Sequence, residues 1–164
     1  MADQPETLVT QEMIDRKDKW SEPVSSRPIA LSDIIKWAIA VYWPEEPPRI
    51  FWDEAYAKGT RFGGIVAPQD FNPFAWPVPR PPVPAAMQSA SGGGVGTRVM
   101  NGGQTDRYGV PMRPGDVITQ SSALVGWNER VGRLGLTIFA SSENRWTNQN
   151  GELVKTRTSV GVRY

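Results

Sequence analysis

The chain has 164 residues, enough for one domain with a sizeable core, and its 18 basic and 17 acidic side chains leave a net charge of +1. This balance gives no reason to expect binding to nucleic acid or to a membrane. Histidine and cysteine are absent, which excludes a disulfide scaffold, Ser-His-Asp and Cys-His catalysis and histidine-ligated metals, so no metal site is expected. Without a signal-peptide pattern or a long apolar run, a cytoplasmic location is the expectation.

The first part of the chain is predicted to be helical. Residues 1–27 are expected to form a polar leader, with a short helix around Thr10–Trp20. The first strong element is a helix over Leu31–Trp43, in which apolar residues at helical spacing predict one buried face. Ser32 or Asp33 is expected to cap this helix.

A proline-dense stretch follows, because ten of the fifteen prolines lie between Pro44 and Pro84. Pro44 is expected to end the first helix, and Asp53–Lys58 is predicted to form a short one. The run Pro77–Pro84 lacks most backbone donors, so it is predicted to be an extended surface segment. The glycine-rich residues 89–96 have no P-loop lysine and are predicted to be a flexible loop.

Strand patterns dominate after residue 95. The predicted strands are Val95–Met100, Asp116–Val125, Leu134–Arg145 and Val154–Tyr164, and Asn150-Gly151 predicts a hairpin before the last of them. The last strand alternates apolar and threonine positions with polar ones that include Lys155 and Arg157, which is the period of a half-buried strand. Asn101-Gly102-Gly103 is predicted to be a turn that closes a strand. The order of elements indicates an α+β fold with an antiparallel sheet.

Three segments, Phe51–Phe71, Arg98–Thr119 and Asn148–Tyr164, together resemble the N-terminal-type dehydratase domain of the MaoC hydratases. The resemblance covers residues 28–164 and implies a single hot-dog fold, an antiparallel sheet wrapped around a central helix. Members hydrate trans-2-enoyl-CoA or run the reverse dehydration, with no cofactor beyond the coenzyme A of the substrate. They act as pairs of hot dogs, of which one carries the catalytic Asp and His and the other holds the acyl chain.

The resemblance also implies that this chain is the non-catalytic half. It places Trp52 at the position of the family's histidine and Pro68 at that of the glycine whose N–H polarises the thioester carbonyl. An indole has no basic lone pair, and proline has no N–H. No catalytic residue is therefore expected in this chain.

The segment Phe62–Trp76 is expected to begin the central helix, to be cut short by Pro73 and Pro77, and to line the acyl tunnel. A shortened helix leaves room for a bulky acyl group. The candidate substrate-binding residues are Trp52, Phe62, Gly63, Gly64, Ile65, Val66 and Phe71. Five arginines are candidates to contact the coenzyme A phosphates: Arg98, Arg107, Arg113, Arg130 and Arg133.

These expectations favour an acyl-accommodating subunit of a heteromeric enoyl-CoA hydratase, which pairs with a second MaoC-like chain that supplies Asp and His. Two alternatives stay open. One is a stand-alone hot-dog protein that binds acyl-CoA or lipid without chemistry. The other is a hot-dog thioesterase that uses only a carboxylate, from Glu45, Glu46 or Asp70.

Overall fold

The computed structural model describes residues 6–74 and 96–164, so the predicted polyproline run and most of the glycine-rich segment lie outside the described residues. The helices are Gln11–Arg16 (α1), Leu31–Tyr42 (α2) and Glu54–Lys58 (α3), with a 3-10 turn at Arg49–Phe51. The strands are Val24–Ser25 (β1), Val99–Tyr108 (β2), Thr119–Gly132 (β3), Gly135–Thr147 (β4) and Leu153–Arg163 (β5).

The strands form one antiparallel sheet in the order β1-β3-β4-β5-β2. The long strands all follow residue 98, so the predicted α+β fold with a late antiparallel sheet is confirmed. The predicted hairpin is also confirmed, since Asn150 and Gly151 lie in the tight connection between β4 and β5. Gly151 has a φ of 77°, a conformation that glycine adopts without a steric penalty.

The predicted turn at Asn101–Gly103 is wrong, because these residues form an irregularity inside β2. The register with β5 shifts between Asn101 and Gly103, and the Asn101 side chain accepts a hydrogen bond from the Gly103 N–H at 2.8 Å. Gly102 lies so close to Val162 that a Cβ there would overlap its side chain. The strand therefore continues to Tyr108, eight residues beyond its predicted end at Met100.

Helix α2 has the predicted position but not the predicted cap. Its N-cap is Ala30, which makes no side-chain hydrogen bond, because Ser32 and Asp33 already lie within the first turn. The predicted buried face is narrower than expected, with Ala38 fully buried but Ile39 48% exposed. Both differences leave the element itself confirmed.

The two short helices also agree with the sequence. Thr10 caps α1 by accepting from the Met13 N–H, and Asp53 caps α3 by accepting from the Tyr56 N–H. Residues 17–26 then run beside β3, where for example the Asp18 N–H donates to the Leu124 carbonyl.

The core lies between α2 and the sheet. Ile34 of α2 belongs to one buried cluster with Ile118, which precedes β3, and Val154 of β5. The other buried members are Ile29, Ala57, Ile65, Ala67, Phe71 and Met112. None of the described helices is long and apolar enough to cross a membrane.

The central helix predicted to begin in Phe62–Trp76 is absent from the described part of that segment, which runs to Phe74 as turns and extended chain. Gly63 has a φ of 65°, outside the helical region, and the prolines at 68 and 73 lack the N–H that a helix interior requires. Helix α2 instead supplies the helical layer against the sheet.

Candidate substrate pocket

A cavity of about 400 Å³ lies between the loop of residues 61–69 and the segment that follows β2. Lys155 of β5 forms part of its wall, and we call the cavity the Lys155 pocket. Its remaining lining residues are Ile50, Phe51, Arg61, Phe62, Val66, Ala67, Pro68, Gln69, Tyr108, Gly109, Val110, Pro111, Met112 and Val154. The size falls within the range of about 300–1,000 Å³ typical of small-molecule sites.

Two hydrogen bonds hold the loop side of this pocket in place. The Ala67 N–H donates to the Met112 carbonyl at 2.8 Å, and the Arg113 guanidinium donates to the Phe62 carbonyl at 2.7 Å. Pro68 is buried in the pocket wall and has no N–H. Because the Ala67 N–H is already engaged, neither residue offers a donor to a substrate carbonyl.

The opposite wall depends on Gly109. Its N–H donates to the Val154 carbonyl at 2.9 Å, and a Cβ at this position would overlap the carbonyl oxygen of Leu153. Glycine is therefore required for the chain to run this close to β5. The antiparallel pairing of β2 with β5 places Tyr108 opposite Lys155, and both line the pocket.

The structure divides the predicted substrate-binding residues among several places. Phe62 and Val66 line the Lys155 pocket, whereas Gly64 and Ile65 line a separate, open hollow beside Arg113. Gly63 lines neither cavity, and no atom lies within 4 Å of the position that a Cβ would take there.

Phe71 and Trp52 lie outside the pocket wall. Phe71 is buried in the core, where its ring meets the ring of Trp37 edge-on at 5.6 Å. Trp52 is 37% exposed, and its indole N–H donates to the Pro47 carbonyl at 2.9 Å. The indole N–H is therefore already hydrogen-bonded, and because an indole nitrogen has no basic lone pair, Trp52 cannot act as a base.

The three carboxylates considered for chemistry all lie at the surface. Glu45 and Glu46 are both exposed. Asp70 accepts a hydrogen bond from the Tyr108 hydroxyl at 3.2 Å. Among the described residues, no group of three or more acidic side chains is placed to hold a metal ion.

Lys155 lines the pocket, although the sequence pattern does not predict it to be a site residue. It is 2% exposed, and it lies in register between Tyr108 of β2 and Trp146 of β4. Its ammonium lies 3.8 Å from the Trp146 ring centroid and 6.0 Å from that of Tyr108. Burial lowers the pKa of Lys155, and the nearby Arg157 lowers it further.

A second row of charges lies two residues along the same strands. Arg157 donates to both carboxylate oxygens of Asp106, at 2.7 and 2.6 Å, and these bonds hold the pKa of Asp106 below its usual range. The Tyr108 hydroxyl contacts Asp106 at 3.3 Å in addition to Asp70. Burial raises the pKa of Tyr108 to about 12, so this hydroxyl stays protonated near neutral pH.

Replacing Lys155 with methionine is expected to stabilise the folded chain at pH 7 by about 1 kcal/mol. An apolar side chain of similar length avoids the desolvation of the ammonium, and this gain exceeds the loss of the cation–π contact with Trp146. Because the pKa of Lys155 is lowered on folding, the unfolded chain holds the proton to higher pH, and wild-type stability rises as pH approaches about 10.4. The advantage of Lys155→Met should therefore be smaller at about pH 10.4 than at pH 7.

Urea unfolding at these two pH values measures the effect, with Lys36→Met, a change on the exposed side of α2, as the control. A Lys155→Met chain that is less stable than wild type at pH 7 would contradict the prediction.

Comparison with known proteins agrees with this fold. The structure is similar to one in the ChsH1-ChsH2 complex from Mycobacterium tuberculosis, with a TM-score of 0.72 and 19% identity over 93% of each chain. It is also similar to the MaoC-like dehydratase from Rhodospirillum rubrum, with a TM-score of 0.56 and 19% identity over 87% of this chain and 90% of that one.

A third similar structure is in the HadBC 3R-hydroxyacyl-ACP dehydratase complex from M. tuberculosis, with a TM-score of 0.54 and 17% identity over 86% of this chain and 96% of that one. No curated protein has a sequence that matches this one. Residues 19–157, however, match the family described as "FAS1-like, dehydratase domain region". The resemblance to MaoC-type dehydratases is therefore confirmed, and the chain belongs to the FAS1-like dehydratase-region family, with a hot-dog fold.

Proposed function

We propose that this chain is a non-catalytic, acyl-accommodating subunit of a heteromeric enoyl-CoA hydratase. The observation that carries the proposal is the formed, largely apolar Lys155 pocket, in whose wall Pro68 takes the position that the resemblance assigns to the glycine that polarises the thioester carbonyl. The acyl group of an acyl-CoA ester is the proposed occupant, and coenzyme A enters only as part of that substrate.

The chemistry of hydration supports this division of labour. Adding water to an enoyl thioester requires a base within about 2.6–3.2 Å of the water and a donor aimed at the carbonyl oxygen. At the corresponding positions, Trp52 donates to a backbone carbonyl and Pro68 has no N–H. The catalytic Asp and His are therefore proposed to come from a second MaoC-like chain.

Two of the similar structures are complexes by name, ChsH1-ChsH2 and HadBC, and this supports a hot-dog partner. The most open part of the described sheet is β2, which is hydrogen-bonded to a described strand, β5, on one side alone. Its first residues, Val99 and Met100, are exposed, at 60% and 47%. A long open edge of this kind pairs readily with another strand, so we propose that the sheet of the partner continues from β2.

Proline at one of two adjacent β2 positions is expected to prevent this assembly. Alternate residues of an edge strand direct their backbone groups to opposite sides, so one of Gln104 and Thr105 faces β5 and the other faces outward. The outward-facing Gln104→Pro or Thr105→Pro variant should fold normally yet bind the partner chain about tenfold more weakly or worse, because it removes an edge donor. Mass photometry of the mixed chains measures the complex.

The variant with the inward-facing proline serves as the matched control. Its folding stability should fall, because the proline removes a hydrogen bond between β2 and β5, whereas the outward-facing variant should lose only partner binding. Two well-folded proline variants that both pair like wild type would show that β2 is not the interface. A chain that stays monomeric with every MaoC-like partner would instead favour the stand-alone binding protein, an alternative that the preformed Lys155 pocket supports.

A further inference from the structure

Desolvation of the Lys155 ammonium costs free energy in the isolated chain, and a ligand that accepts a hydrogen bond from it would reduce that cost. The ammonium has three N–H donors, and no described residue accepts a hydrogen bond from them. The face of Trp146 offsets part of the desolvation of the ammonium through a cation–π contact. A ring face supplies no acceptor oxygen, so the ammonium depends on water or a ligand in the pocket for its hydrogen bonds.

The neighbouring carboxylates are already engaged elsewhere. Both oxygens of Asp106 accept from Arg157, and Asp70 is bonded to the Tyr108 hydroxyl. These two acids favour the charged form of Lys155 through space. They thereby keep an ammonium in the pocket wall without supplying it with a hydrogen bond.

The wall of the Lys155 pocket combines this cation with two exposed polar residues and a larger apolar part. Arg61 and Gln69 are exposed, whereas the Lys155 residue is almost fully buried. The apolar part of the wall includes Phe51, Phe62, Val66 and Met112. A ligand that fits must have an apolar body and one acceptor that reaches the Lys155 ammonium.

We propose that the Lys155 pocket binds the carboxylate end of an apolar acid, with the Lys155 ammonium donating to a carboxylate oxygen. A carboxylate supplies both an acceptor and a compensating charge, whereas a ketone or ester carbonyl supplies only the acceptor. A phosphate fits less well, because its second negative charge would be desolvated against apolar walls. The acid is either a free fatty acid or an acyl thioester whose far end carries a carboxylate, and the thioester source rests on the proposed function.

Calorimetric titration of the full chain with octanoate and with 1-octanol tests the proposal. Octanoate is expected to bind about tenfold or more tightly than octanol, because only the acid pairs with the buried cation. Lys155→Met should remove that preference and leave octanol binding unchanged. Lys36→Met, which removes an exposed lysine of α2, should bind octanoate like wild type.

Equal affinity of the wild-type chain for octanoate and octanol would overturn the proposal, as would an unchanged octanoate affinity in Lys155→Met. The wild-type comparison decides the matter even if the variant fails to fold. Binding of suberyl-CoA, which ends in a carboxylate, in preference to octanoyl-CoA identifies the thioester source. Equal binding of the two esters, together with tight octanoate binding, identifies the free acid.

Two different experimental outcomes distinguish a failure of the carboxylate site from a failure of the proposed hydratase function. A pair of chains that hydrates simple enoyl-CoA esters while octanoate does not bind would remove the carboxylate site alone. Octanoate binding by a chain that never joins an active pair would retain the site and remove the hydratase role.

Discussion

The purified chain is expected to hydrate crotonyl-CoA and longer enoyl-CoA esters at no more than the background rate, and turnover should appear only when a catalytic MaoC-like chain is added. Under the proposed function the chain lacks both a base, which costs about 10²–10⁴ in rate, and a donor to the thioester carbonyl, which costs about 10²–10³ more. The combined deficit is at least about 10⁴. Chromatography of the 3-hydroxyacyl-CoA product measures this difference.

A carboxylate is the route to activity in the isolated chain that the sequence leaves open, so it provides the control. The double variant Glu45→Gln/Glu46→Gln and the single variant Asp70→Asn should leave the activity of the pair unchanged. Glu45 and Glu46 are exposed, and Asp70 is bonded to Tyr108. Turnover by the purified chain that disappears in either variant would establish the carboxylate enzyme in place of the proposed subunit.

The parts of the fold that the sequence predicted are those with a strong local signal. The period of α2, the alternation in β5 and the Asn150-Gly151 turn each specify one conformation. The prediction of a turn at Asn101–Gly103 was wrong because residues that favour a turn also permit a β-bulge. Only the pairing with β5 decides between the two conformations. The prediction of a helix after Phe62 was wrong for a different reason. The family resemblance suggested a helix there, whereas the glycines and prolines of this segment disfavour one.

The site was predictable only on its loop side. Phe62 and Val66 are apolar residues beside flexible glycines, a pattern that indicates a pocket. Lys155 falls on the polar side of an alternating strand, which ordinarily means contact with water. Its surroundings come from the Trp146 ring on the neighbouring strand and from the loop of residues 66–69, which is remote in sequence and which no local pattern connects to Lys155.

Filling the Lys155 pocket is expected to change the acyl preference of the assembled pair. Val66 is buried in the pocket wall, so Val66→Trp should reduce turnover of bulky acyl-CoA esters by about 10–200-fold relative to crotonyl-CoA. Phe62→Ala, which enlarges the same cavity, should shift the preference towards bulky esters. Measuring kcat/KM across a series of acyl sizes gives both shifts.

Gly64→Leu is the matched control for these two variants, because it adds bulk to the same loop but in the separate hollow. A Cβ at Gly64 would have the Arg113 guanidinium as its nearest neighbour, at an ordinary 3.7 Å, so the loop need not move. The acyl profile of this variant should therefore match that of wild type. If Gly64→Leu excludes bulky esters while Val66→Trp does not, the acyl chain occupies the hollow beside Arg113, and the Lys155 pocket serves another ligand.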